Sequence, residues 1–76
     1  MNIKQELERR ILAKEEQIKK LRMEIENFIH AAKKLTFEEY DIAFILVNLG
    51  SKIQSRESEI TKLQYEVYEL MQILKS

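Results

Sequence analysis

An all-α antiparallel helical hairpin, dimerising into a four-helix bundle, is the fold class this sequence predicts, and three observations carry the prediction. Pro and Cys are absent and Gly occurs once, which removes the turn chemistry that β folds depend on. Apolar residues recur at alternating steps of three and four along nearly the whole chain. Charge is segregated: residues 1–34 hold nine basic and six acidic side chains, residues 35–76 four basic and seven acidic. Arms of opposite sign favour lying side by side, although each exposed pair contributes only about 0.2–1 kcal/mol.

The 76 residues are expected to form a single domain, 1–76. Helix one is expected over about 2–34. Its heptad a positions are Ile11, Ile18, Ile25 and Ala32, and its d positions are Leu7, Lys14, Leu21, Phe28 and Leu35. Helix two is expected over about 37–75. Its seam runs through Ile42, Leu46, Leu49, Ile53, Arg56, Ile60, Leu63, Val67, Leu70 and Leu74.

Neither Pro nor Gly marks the turn near 34–37, so capping chemistry has to. Thr36 and Glu39 fit a capping box, and Leu35 and Tyr40 stand at the two positions of a hydrophobic staple. Lys33 and Lys34 suit the negative end of helix one; Glu38 and Glu39 suit the positive start of helix two. The competing arrangement is one unbroken helix more than about 100 Å long. With the turn, Ile11 is expected near Ile60, and Leu21 near Leu49 or Ile53. Asn48-Leu49-Gly50-Ser51 offers a second place to stop, with Gly50 ending one helix and Ser51 capping another. The heptad phase nevertheless passes from Leu49 to Ile53 without a skip, so helix two is expected to continue. Gly50 equally suits the close approach of another helix.

Helix two carries a second stripe opposite its seam. Phe37, Tyr40, Phe44, Val47, Ser51, Gln54, Ser58, Thr61, Tyr65, Tyr68 and Gln72 follow one another there without a charge, in a chain that is 34% charged. The same stripe on helix one reads Arg9, Leu12, Glu16, Lys19, Met23, Glu26, His30 and Lys33, an ordinary solvated face. From Ile42 to Leu49 helix two is apolar almost all round, and such a helix belongs inside a bundle. Helix one can cover only one side of it. A homodimer is therefore expected, its interface formed by Phe37, Tyr40, Phe44, Val47, Ser51, Tyr65 and Tyr68. The same residues also suit a different protein partner. Lys14 and Arg56 interrupt the two seams and are expected at one level, as a polar core layer with Glu15 and Glu57 beside them.

The chemistry of the remaining residues points away from an enzyme. His30 is the only histidine and faces water; Glu26 is its one suitable neighbour for a metal, opposed by Lys33 and Lys34. No metal, cofactor or small-molecule substrate is expected, since the chain has no Cys, no Gly-rich phosphate loop and no HExxH. Paired carboxylates such as Glu15/Glu16 are expected to face solvent with partners Lys19 and Lys20 one turn on. Arg9-Arg10, Lys19-Lys20 and Lys33-Lys34 are phosphate-sized basic doublets, but acids are interspersed and no aromatic interleaves with them. A nucleic-acid-binding regulator is the second choice. The longest apolar run, Ile42 to Val47, falls far short of the roughly 20 residues that span a bilayer. The charged start, Met1-Asn2-Ile3-Lys4, has no signal-peptide hydrophobic stretch, so a cytoplasmic location is expected.

This layout of two seamed arms resembles Rop-type helical hairpins, small proteins that dimerise into antiparallel four-helix bundles. That architecture includes an RNA-duplex binder and small viral or plasmid adaptors, so the resemblance implies a fold and an assembly mode more than an activity. Ile18-Lys19-Lys20-Leu21-Arg22-Met23-Glu24 is similar to the first helix of the sporulation phosphatase hairpins. The stretch matching their second-helix signature, Leu46-Val47-Asn48-Leu49-Gly50, lacks its acidic residue, so that activity does not carry over. The expected function is a small non-enzymatic interaction or adaptor protein, of the kind found among viral, phage or plasmid accessory and regulatory proteins.

Overall fold

Two helices lie side by side in the computed structural model, which describes residues 2–34 and 39–76, with side chains in the second stretch from Phe44 onward. The first, α1, spans Ile3–Lys33; the second, α2, spans Glu39–Lys75. At 37 residues α2 is about 55 Å long. The molecule's longest dimension is only 58 Å, which excludes the single continuous helix.

Local chemistry accounts for the described helix ends. Asn2 caps α1, its side-chain oxygen accepting from the Lys4 backbone N–H at 3.0 Å, with Glu6 in the first turn against the positive helix end. At the other end the Lys34 N–H donates to the carbonyls of His30 and Ala31, both at 3.2 Å. Ser76 finishes α2, its hydroxyl donating to the Ile73 carbonyl at 2.7 Å. The proposed capping box at Thr36 and the Leu35–Tyr40 staple lie outside the described residues.

The core is a single seam. Ile11 and Ile18 of α1 and Ile60, Leu63 and Val67 of α2 are its buried residues, with Leu21, Ile25, Leu70 and Leu74 packed against them. All of these stand at the expected a and d positions, because a 3.5-residue apolar repeat keeps one helix face on its partner. Leu63, at 4% exposure, is the best covered. Toward the start of α2 the seam moves over by one position. Leu46 is exposed and Ile45 is half-buried in its place, followed by Leu49 and Ile53. The interhelical pairs Lys14–Glu66 and Arg56–Glu24 set Leu46 level with Lys34, the C-cap of α1, so α1 runs out beside it.

Gly50 sits inside α2 without breaking it, and no described residue has a left-handed backbone. A side chain built there would meet nothing within 4 Å, so no helix of this chain approaches it. Gly50→Ala should therefore raise stability by about 1 kcal/mol, the helix-propensity difference, read as a higher midpoint in urea. Leu63→Ala should lower it by about 2 kcal/mol or more, measured in the same titration at the same protein concentration.

Candidate functional site

The polar side chains of the seam come first, because they set the register. Lys14 Nζ pairs with Glu66 Oε2 at 2.5 Å, and Arg56 Nε pairs with Glu24 Oε2 at 3.4 Å. Each basic residue interrupts its own helix's seam and is answered by a carboxylate at the seam's edge on the other helix. Lys14 and Glu24 are ten residues apart on α1, as are Arg56 and Glu66 on α2, so both pairs report one antiparallel alignment.

That alignment corrects the expected one. Lys14 and Arg56 do not share a layer; they stand about 15 Å apart along the axis, and Glu15 and Glu57 are not their partners. Leu21 lies beside Arg56 and Glu59 instead of Leu49 or Ile53, Ile18 lies beside Gln64 and Val67, and Ile11 stands level with Glu69 instead of Ile60. The expected register would have set two cations against each other across a narrow apolar seam. Sliding α2 by roughly ten residues keeps apolar positions opposed and exchanges that repulsion for two attractions. Glu24 and Glu66 were the missed residues. Their signal is an acid directly flanking each seam, one for each basic interruption.

Phe28 sits where the two halves of the seam meet. Lys52 Nζ lies 5.8 Å and the Arg56 guanidinium 5.0 Å from its ring centre, both within cation–π range. Glu66, partly open to solvent, has its carboxyl held below the ordinary value of 4.5, chiefly by the Lys14 hydrogen bond and then by the Lys14 and Lys62 charges. A depressed carboxylate contributes stability above its unfolded pKa and loses it as pH falls through the folded one.

Away from the seam, α2 presents the uncharged stripe. Phe44 and Val47 are each 71% exposed, Tyr65 68% and Tyr68 60%. Ser51, Gln54, Ser58, Thr61 and Gln72 between and beyond them are exposed as well. From Val47 onward these residues face away from α1, as their spacing requires once the seam is on α1, whereas Phe44 stands past the level of Lys33, where α1 ends. Thr61 already donates its hydroxyl proton to the Glu57 carbonyl at 3.0 Å, so covering it strands no donor. Phe37 and the Tyr40 side chain, also assigned to this surface, lie outside the described residues.

On α1 the outward face is mainly charged, with Leu12, Met23 and Ile29 exposed among the charges. Glu6 takes both Arg9, at 3.0 Å, and Arg10, at 3.3 Å. The expected Glu15–Lys19 and Glu16–Lys20 pairs are not among the ion pairs of the described residues; exposed i,i+4 partners gain too little to fix their geometry. Among the described residues no group of three His, Cys, Asp or Glu is placed to hold a metal ion, and no helix is long and apolar enough to cross a membrane.

These features define an all-α helical hairpin with one closed seam and one open, uncharged face. No family model matches the chain, and neither a curated protein nor a solved structure matches it.

The Lys14–Glu66 pair gives a pH signature: unfolding free energy should decline as pH falls below 4.5 and on through the lowered Glu66 pKa. Glu66→Gln should remove part of that decline, measured by urea unfolding at several pH values between about 3 and 6.

Proposed function

We propose that this chain is a small, cytoplasmic, non-enzymatic interaction protein. It self-associates through α2, in the manner of Rop-type hairpin dimers, and presents α1 and the hairpin tip to a macromolecular partner. The uncharged face of α2 is the observation that carries this reading. Burying a side chain such as Phe44 or Val47 is worth about 1.5–3 kcal/mol, and the isolated hairpin leaves both in water.

The surface area supports it. The chain exposes 6439 Å², whereas a compact protein of 9.1 kDa exposes about 4,900 Å². The excess, roughly 1,500 Å², exceeds the ~800 Å² that each partner contributes to a standard interface. A two-helix seam with no fully buried large side chain among the described residues is also a thin core for a chain of this size. A second layer of helices remedies both.

Binding of RNA or DNA ranks below a protein partner. Glu6 engages Arg9 and Arg10 together, so the first basic doublet offers phosphates less positive potential than its sequence suggests.

Light scattering at micromolar concentration should give twice 9.1 kDa, and Phe44→Glu should return the mass to 9.1 kDa with the helical circular dichroism of the hairpin retained. A mass of 9.1 kDa for the unsubstituted chain would remove self-association.

A further inference from the structure

From Phe44 to Tyr68 the uncharged stripe of α2 reads nearly the same in both directions. Its described part begins with two bulky residues, Phe44 and Val47, and its counterpart at the other end is also bulky, Tyr65 and Tyr68. Small or neutral polar residues fill the middle. Reversed about Arg56, Phe44 falls on Tyr68 and Val47 on Tyr65, while Ser51 falls on Thr61 and Gln54 on Ser58. A surface that matches its own reversal is what a two-fold symmetric contact between identical chains requires.

We propose that the occupant of this face is the α2 of a second copy, running antiparallel, with the two-fold axis crossing the helices at the level of Arg56. This inference rests on the self-association proposed above and specifies its geometry. Each end of the contact then stacks Phe44 and Val47 of one copy against Tyr68 and Tyr65 of the other. The tyrosine hydroxyls reach the rim, where water satisfies them. The middle closes over side chains that carry no charge and cost little to cover.

Neighbouring registers pair the described residues less well. Sliding by one heptad in one direction sets Phe44 against Thr61 and Val47 against Ser58, so these large side chains meet small polar ones, while Tyr65 and Tyr68 move to the level of positions 40 and 37, outside the described side chains. Sliding the other way sets Phe44 against Lys75 and Val47 against Gln72. A parallel arrangement places each residue beside its own copy, so the apolar ends never meet the tyrosines. Length agrees with composition: the midpoint of Glu39–Lys75 is residue 57, one position from the inferred axis, so the two α2 helices overlap end to end. The seam to α1 lies on the opposite face of α2, so each α2 is enclosed on two sides without either contact disturbing the other.

The chain lacks cysteine, which permits single-site spin labelling on exposed positions flanking the stripe. Glu69→Cys and Lys62→Cys, each labelled in the full chain, should give dipolar distances whose components along the helix axis are about 39 Å and about 18 Å. Short distances at both sites, about 10–20 Å, would establish a parallel dimer and overturn the register while leaving self-association intact. Axial components displaced by about 10 Å at both sites would mean a one-heptad slip and overturn it too. Absence of inter-copy coupling with a mass of 9.1 kDa would remove the second copy altogether, and with it the function proposed above.

Discussion

One helix packed on another covers a stripe along one side of its partner and no more. That geometric limit governs this molecule, because α2 has two faces suited to burial and α1 is a single helix. The seam face is closed by Ile11, Ile18, Ile60, Leu63 and Val67. The opposite face, with Phe44, Val47, Tyr65 and Tyr68, stays open in the isolated hairpin. α1 shows a lesser conflict: Leu12 and Met23 are exposed singly on its outward face, among charged side chains such as Glu6, Arg9 and Arg10. The imbalance between the helices, more than any single residue, is what gives the fold a direction in which to assemble.

Within the hairpin, polar residues decide what apolar ones leave open. Ile, Leu and Val at a and d positions pack almost equally well after a shift of one heptad, so the apolar pattern admits several registers. Lys14 and Arg56 bias that choice, because in the observed alignment each finds a carboxylate on the other helix, Glu66 and Glu24. Their partly exposed positions keep the ions hydrated at one side, which limits the desolvation cost that full burial would impose. Arg56 acts twice, holding Glu24 and standing over the Phe28 ring.

The same logic extends to the open face. An interface lined only with aliphatic side chains would tolerate many offsets, whereas bulky ends and a small neutral centre prefer one. Charges are confined to the edges of the stripe, where they remain solvated and discourage other partners. A protein of this size gains most of its interior by doubling, since surface falls relative to volume as layers are added. In the proposed dimer, self-association and a persistent fold would be one process, and stability would depend on concentration.

Helix type, helix extent and the identity of the seam were legible in the sequence, because they follow from local periodicity and from the scarcity of Gly and Pro. Continuity through Gly50 was legible too, since an unbroken heptad phase outweighs one poor helix former. The uncharged stripe was visible as a pattern, and its exposure followed once the seam was assigned. Register was not legible. Which residue of α2 stands across from Lys14 depends on summed packing and charge over the whole contact, and counting outward from a presumed tight turn placed Arg56 where Glu66 stands. The exposure of Leu46 likewise needed three dimensions, because it depends on where α1 ends alongside α2, which follows from the register. Sequence by itself determined which face of each helix forms the seam; only the tertiary structure decided what each position faces, because alignment is a property of two helices together and is written in neither one alone.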